Sequence, residues 1–283
     1  MELICPLCGK TLTRTDRSFV CENRHSFDRA AKNAGGYVNL LLANKKSSKD
    51  PGDNALMIAG RTTFLSSGHY QPLSDALSRT VLSLLADEKR AQVLDAGCGE
   101  GYYSQRLAQT AQEQGRAMDF YGIDLSKYGV KASAKRCRPI GDPVDCSFSV
   151  ASIFELPFAD GALDVVYNVF SPIGAEEFAR VLCPGGHFVA AYPGTRHLFG
   201  LKEVLYDAPY ENEDKTFELP GFEIIGRERI SYRRTIEGQN VIQGLFMMTP
   251  YYYKTPAAGS ERLKALEILD TELDFWLITY RKQ

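Results

Sequence analysis

Short runs rich in apolar residues recur through the middle of this chain and alternate with stretches of helical spacing. The run ending Val93-Leu94-Asp95, then residues 119–124 (DFYGID), 147–151, 163–169 (LDVVYNV) and 187–192, read as buried strands. Between them, residues 102–114, 127–137 and 175–182 carry a 3.6-residue period. Strand and helix in alternation, interrupted only between 151 and 163, predict an α/β fold with a doubly wound, largely parallel sheet. Residues 222–232 alternate like a sixth strand, 240–248 and 261–269 look helical, and 272–280 (ELDFWLITY) makes a last strand. Upstream, Leu56, Ala59, Phe64 and Leu65 mark a helix over 54–65, and Leu73, Leu77, Val81 and Leu84 mark a second one reaching about residue 87.

After the first of these strands the chain reads Asp95-Ala96-Gly97-Cys98-Gly99-Glu100-Gly101. Glycines at alternate positions permit positive φ and let a ligand approach the backbone closely. The spacing is G-x-G-x-G, not the dinucleotide G-x-G-x-x-G. Asp95 and Glu100 flank it, and they would repel a pyrophosphate but suit a cationic sulfonium nucleoside. Asp124 ends the second strand 25 residues after Gly99, where an acid accepts hydrogen bonds from ribose hydroxyls. Residues 152–157 would then lie along an adenine, and Tyr70 could pack on the nucleoside or serve as a plain aromatic between helices.

Composition is that of an ordinary globular protein, and 283 residues allow a large domain plus a small module. No apolar run spans a bilayer and the N-terminus has no signal core, so the expectation is a cytoplasmic protein without a membrane partner. Net charge is −2, giving no hint of DNA, yet residues 1–50 carry +4 against −6 for the rest. Seven cysteines in such a chain argue for metal ligands or free thiols. Cys5, Cys8, Cys21 and His25, spaced C-x2-C-x12-C-x3-H, suit a tetrahedral zinc with no position left for water, hence a structural one. Cys98, Cys137, Cys146 and Cys183 lack ligand spacing and read as ordinary buried thiols.

Arg14, Arg17, Arg24, Arg29 and Lys32 interleave with Phe19, Phe27 and Tyr37 around these ligands. They could grip an RNA backbone and stack an unpaired base, or form a small core with solvated charges. Lys45, Lys46 and Lys49 lie in a polar linker, NKKSSKDPGD, and could contact phosphates. The division expected is a zinc module over 1–43, a linker and cofactor-covering helices over 44–90, and the main domain over 91–283.

The glycine loop resembles motif I of the class I S-adenosylmethionine-dependent methyltransferases, and ARVLCPGGHFVAAYP resembles the segment following their motif IV. That fold implies seven strands, the last inserted antiparallel between strands five and six. The zinc spacing with GYVNLL, KDPGD, GHYQPL, LDAGCGEGYY and PGTRHL resembles the RlmA family of bacterial 23S rRNA guanine-N1 methyltransferases, from Cys5 to about Leu201. The resemblance implies zinc at Cys5, Cys8, Cys21 and His25, and S-adenosylmethionine at Tyr70, Gly99, Glu100 and His197. As substrate it implies a hairpin loop in domain II of 23S rRNA near the peptide exit tunnel, where two branches modify neighbouring guanines. NVFSPIGAEEF leans toward the Gram-positive branch. Guanine N1 carries a proton that something must remove. The candidates are Asn168, Ser171 and His197, of which His197 could equally hold the cofactor carboxylate. Two other readings are a small-molecule methyltransferase of ubiquinone or antibiotic type with a scaffold zinc, and a non-catalytic RNA-binding adaptor. A homodimer is compatible with the pattern.

Overall fold

The computed structural model describes residues 3–31, 36–45, 51–85, 89–214 and 216–283. Lys32, Lys46, Lys49 and the expected end of the second helix at Asp87 lie outside them. The chain opens with a three-stranded antiparallel ribbon, β1 (Leu12–Arg14), β2 (Ser18–Cys21) and β3 (Ser26–Asp28), followed by the two-residue strand β4 (Val38–Asn39). Helices α1 (Ala55–Ser66) and α2 (Gln71–Ser83) come next; the Asn54 side chain caps the first by accepting from the amides of Leu56 and Met57.

The parallel part follows as β5 (Ala91–Ala96), α3 (Tyr102–Glu113), β6 (Met118–Asp124), α4 (Lys127–Arg136), β7 (Val144–Val150), β8 (Leu163–Val169), α5 (Ala175–Val181) and β9 (Leu182–Pro193). Then come α6 (Phe199–Leu205), β10 (Phe222–Glu237), α7 (Gln239–Met247), α8 (Ala257–Lys264) and β11 (Ile268–Lys282). The sheet order is β10-β11-β9-β8-β5-β6-β7-β4, so β11 enters antiparallel between β9 and β10, as expected. The main domain therefore contributes its seven strands, and β4 adds an eighth by pairing parallel with Ser149 and Val150. The predicted helix over 261–269 begins earlier and ends sooner: Pro256 precedes it, and Leu269 is instead the second residue of β11, facing buried Ile236 across the ribbon.

Successive strand residues point to opposite faces. Val93, Phe120, Val165, Tyr167 and Val189 meet the helices α1 to α4 and α6 to α8 on one side. Their neighbours Leu94, Tyr121, Val166, Phe188 and Ala190 join α5 on the other. On that second face, residues 151–162 cross from β7 to β8 without a helix, and the ribbon takes up the vacant area. Leu3, Cys5, Leu12, Val38 and Leu40 share one buried cluster with Ile153, Leu156 and Phe158, and the Ile4 amide donates to the Pro157 carbonyl at 2.9 Å. The ribbon is thus a layer of the same core.

Candidate active site and metal centre

The ligand atoms of Cys5, Cys8, Cys21 and His25 lie within 4.8 Å of one another. Cys8 Sγ is 3.7 Å from Cys21 Sγ, and His25 Nδ1 is 3.5 Å from the sulfurs of both Cys5 and Cys21. A tetrahedron with Zn–S of about 2.3 Å and Zn–N of about 2.05 Å has edges of about 3.7 and 3.5 Å. The four side chains therefore fit zinc, and Nδ1 is the imidazole ligand. The Lys10 amide holds the Cys8 thiol down at about 6, which favours the thiolate. Arg14, Arg17 and Arg24 are exposed on this ribbon. Lys45 forms an exposed ion pair with Glu155 at 3.2 Å.

At the other centre Gly97, Gly99 and Gly101 all have positive φ, at 100°, 53° and 86°. A Cβ on Gly97 would strike the Ser171 side chain, and one on Gly101 would lie 2.7 Å from the Ser133 Cα. The turn is held to the next strand: the amides of Gly97 and Cys98 both donate to the Ile123 carbonyl, and the Gly99 amide donates to Asp124 Oδ2 at 3.0 Å. Asp124 Oδ1 accepts from the Ser126 amide at 2.7 Å. Each oxygen of Asp124 retains a lone pair for a hydroxyl.

Asp95 is buried in the core. Its Oδ2 accepts from Ser104 Oγ at 2.6 Å and Tyr167 Oη at 2.8 Å, and burial pushes its carboxyl up to about 7. Glu100 is 1% exposed; Arg136 approaches one of its oxygens at 2.6 Å, but neither oxygen makes a hydrogen bond of good geometry. Burial raises its carboxyl too, with Arg136 and Arg61 opposing. A buried carboxylate paired with Arg136, a bare glycine turn and an acid with spare acceptors form a cradle for a cationic nucleoside. S-adenosylmethionine fits this donor set. Gly97, Gly99, Glu100, Gly101 and Asp124 would line it, with Asp95 bracing the turn from behind.

The sequence pattern missed two residues here. Asp53 and Arg61 form a half-buried ion pair at 2.7 Å, the Arg61 chain lies 3.7 Å from where a Gly99 Cβ would stand, and its Nε is buried without a partner. Gly52 packs on the Ser126 backbone, and Ser126 Oγ donates to the Asp53 carbonyl, locking the segment before α1 onto the β6–α4 turn. A lone arginine in the otherwise uncharged stretch ALMIAGRTTFLS, eight residues after Asp53, was the available signal.

The second wall holds Tyr70, His197 and Phe275, all buried. His197 Nδ1 accepts the Asp274 amide at 3.3 Å, so Nε2 carries the proton and donates it to Tyr70 Oη at 3.1 Å. Burial drops the imidazole to about 3. His197 is thus neutral with neither nitrogen free to take a proton in this arrangement, and Tyr70 sits edge-on to Phe64 and Phe275. Asn168 Nδ2 donates to the carbonyls of Ala96 and Pro172, both at 2.9 Å, while its Oδ1 accepts the Ser171 amide. It ties the end of β8 to the end of β5. Ser171 lies over Gly97.

Comparison with known proteins agrees with a zinc ribbon followed by a methyltransferase domain. The family model described as RlmA, N-terminal, a zinc ribbon, matches residues 3–49, and a methyltransferase domain model matches residues 87–234. The 23S rRNA (guanine(748)-N(1))-methyltransferase of Streptomyces fradiae is 34% identical over 81% of this chain and 78% of its own. YxjB of Bacillus subtilis, a candidate 23S rRNA (guanine-N1)-methyltransferase, is 30% identical over 95% of this chain and 93% of its own. A candidate enzyme of the same name from Micromonospora griseorubida is 31% identical over 94% and 92%. With such identity across most of both chains, this chain belongs to the family of 23S rRNA (guanine-N1)-methyltransferases that join an RlmA zinc ribbon to a class I methyltransferase domain.

Proposed function

We propose that this protein transfers the methyl group of S-adenosylmethionine to N1 of a guanine in a hairpin loop of domain II of 23S rRNA, near the peptide exit tunnel, in the bacterial cytoplasm. The Streptomyces fradiae relative is named for guanine 748, and we assign the same nucleotide here. The observation that carries this reading is the zinc tetrad of an RlmA ribbon packed into the same core as a glycine cradle fit for a cationic nucleoside.

The sulfonium supplies an already activated methyl group, so the chain's task is to position the base in line with it and exclude water. Asp124 would offer acceptors to the ribose and Glu100 its buried carboxyl to the cationic donor, while Tyr70 and His197 form a neutral buried pair. The target guanine has to leave its stack, at a cost that is lowest in a loop. Arg14, Arg17, Arg24, Lys45, Lys46 and Lys49 serve the phosphates, which position the RNA without reading its sequence. None of the described helices is long and apolar enough to cross a membrane.

Primer extension on 23S rRNA from cells with and without the gene tests this, because methylation at N1 blocks the Watson–Crick edge and stops reverse transcriptase. The expected result is a stop at guanine 748 that vanishes on deletion and returns on complementation. An rRNA pattern unchanged by deletion would overturn the assignment.

A further inference from the structure

Phe170 follows the last residue of β8 with φ of 56°, a left-handed conformation that costs a non-glycine residue about 1–2 kcal/mol. The surroundings impose it. Asn168 fixes the carbonyl of Pro172 on one side and the amide of Ser171 on the other. The Phe170 amide reaches the Ala191 carbonyl at 3.4 Å, and the Ser171 side chain is wedged over Gly97.

This backbone leaves a phenyl ring 38% exposed above three buried rings. Phe170 lies nearly parallel to His197, with 24° between planes and 5.9 Å between centroids. It is 6.3 Å from Tyr70 and 5.8 Å from Phe275. The ring lies on the imidazole and is partly open to solvent. Ser171, the next residue, covers Gly97, which places Phe170 beside the methyl-donor cradle. A left-handed backbone that leaves an aromatic ring partly exposed beside a candidate reactive centre is the kind of strain that clusters at functional sites.

We propose, resting on the methyltransferase reading above, that Phe170 is the platform on which the extruded guanine stacks. His197 backs the ring and Asn168 fixes the turn that aims it. Hydrogen-bond groups on neighbouring residues would choose the base; the ring supplies a sequence-tolerant π-face that holds it in the plane needed for attack. His197 is then a positioning residue for Phe170, which accounts for an imidazole whose two nitrogens are both engaged.

The test uses the zinc-loaded full-length protein and an RNA hairpin copying the domain II loop. Phe170→Leu keeps an apolar side chain of similar reach and removes the π-face; Phe170→Trp keeps a stacking surface. For Phe170→Leu, methyl transfer per RNA encounter (kcat/KM for RNA) should fall by about 5- to 150-fold, the range for loss of one base–aromatic stack. S-adenosylmethionine affinity by calorimetry should stay within about twofold, and Phe170→Trp should retain most activity. A hairpin with 2-aminopurine in place of the target guanine should lose fluorescence quenching with the leucine variant only.

Wild-type methylation of the hairpin with an equally active, equally quenching Phe170→Leu would overturn the platform and leave the methyltransferase reading standing. A wild-type protein that binds S-adenosylmethionine yet methylates neither hairpin nor 23S rRNA would overturn that reading and the platform with it. A leucine variant that loses cofactor affinity and activity in parallel would place Phe170 in the donor cradle and overturn its assignment to the base.

Discussion

Asp95 ends β5 inside the core, where its carboxyl accepts two hydroxyls and yet titrates near 7 because burial outweighs them. In the unfolded chain the same group titrates near 3.8, so between these values the native state holds the extra proton. Stability from this group is therefore full below about 3.8, declines as pH rises through the folded value near 7, and levels off above it, for a total of up to a few kcal/mol. Asp95→Asn keeps an oxygen to accept from Ser104 and Tyr167. It should flatten the fall in Tm between pH 5 and 8 in the cofactor-free protein; an unchanged slope would mean that Asp95 is not the group responsible. His197 has the opposite sign: kept neutral down to about 3, it withdraws stability as pH falls below 6.5. Asp124 braces Gly99 and has acceptors to spare, so Asp124→Ala should weaken S-adenosylmethionine binding by about 1–3 kcal/mol in calorimetry. Retained affinity would remove it from the site. These roles were partly legible. Asp95, Asp124 and the glycines stand in one local pattern, whereas Arg61 and Asp53 meet Gly99 only once α1 has folded back over the turn.

At the scale of elements, the cover over the cradle depends on a close crossing of α1 and α7. A Cβ on Gly244 would lie 2.6 Å from the Gly60 carbonyl oxygen, and one on Gly60 would run into Met247. Gly244→Ala must push α1 outward and with it Arg61. It should weaken S-adenosylmethionine binding about tenfold or more while leaving the zinc site filled; unchanged affinity would show that α1 does not cover the donor. The ribbon poses the complementary case. Because it covers the β7–β8 crossover, chelating zinc or introducing Cys8→Ser should lower Tm by several degrees and expose apolar surface to a reporter dye, besides abolishing rRNA methylation. Full activity in a metal-free protein would refute its recognition role. The helix missing between β7 and β8 could be noticed in the sequence as a short, largely apolar stretch interrupted by Pro157 and Gly161, too short for a helix and two turns. That the ribbon fills it could not, since nothing local links Leu3 to Phe158.

For the whole molecule, a basic head of +4 sits on an acidic body of −6. Attraction for RNA should concentrate at the ribbon and depend steeply on salt, while binding of the small donor should not. Neutralising Arg14, Arg17 and Arg24 together should reduce the slope of log affinity against log salt by up to about 2–3 for the rRNA hairpin, at about 0.7–0.9 for each phosphate that no longer has a cationic partner. The donor's affinity should be unaffected. An unchanged slope would move the RNA to another face.

The sequence alone determined what depends on neighbours along the chain. Cys5, Cys8, Cys21 and His25 lie on two short turns, the glycine corner follows its strand directly, and each strand's two-residue alternation or apolar run fixes which side chains are buried. Tertiary structure decided which distant groups converge. It set the His197–Tyr70 pair under Phe170, brought Arg61 to Gly99, and made the ribbon a layer of the main core. Such contacts join residues tens to more than a hundred positions apart, and their geometry follows from packing two faces of one twisted sheet, which no local propensity encodes.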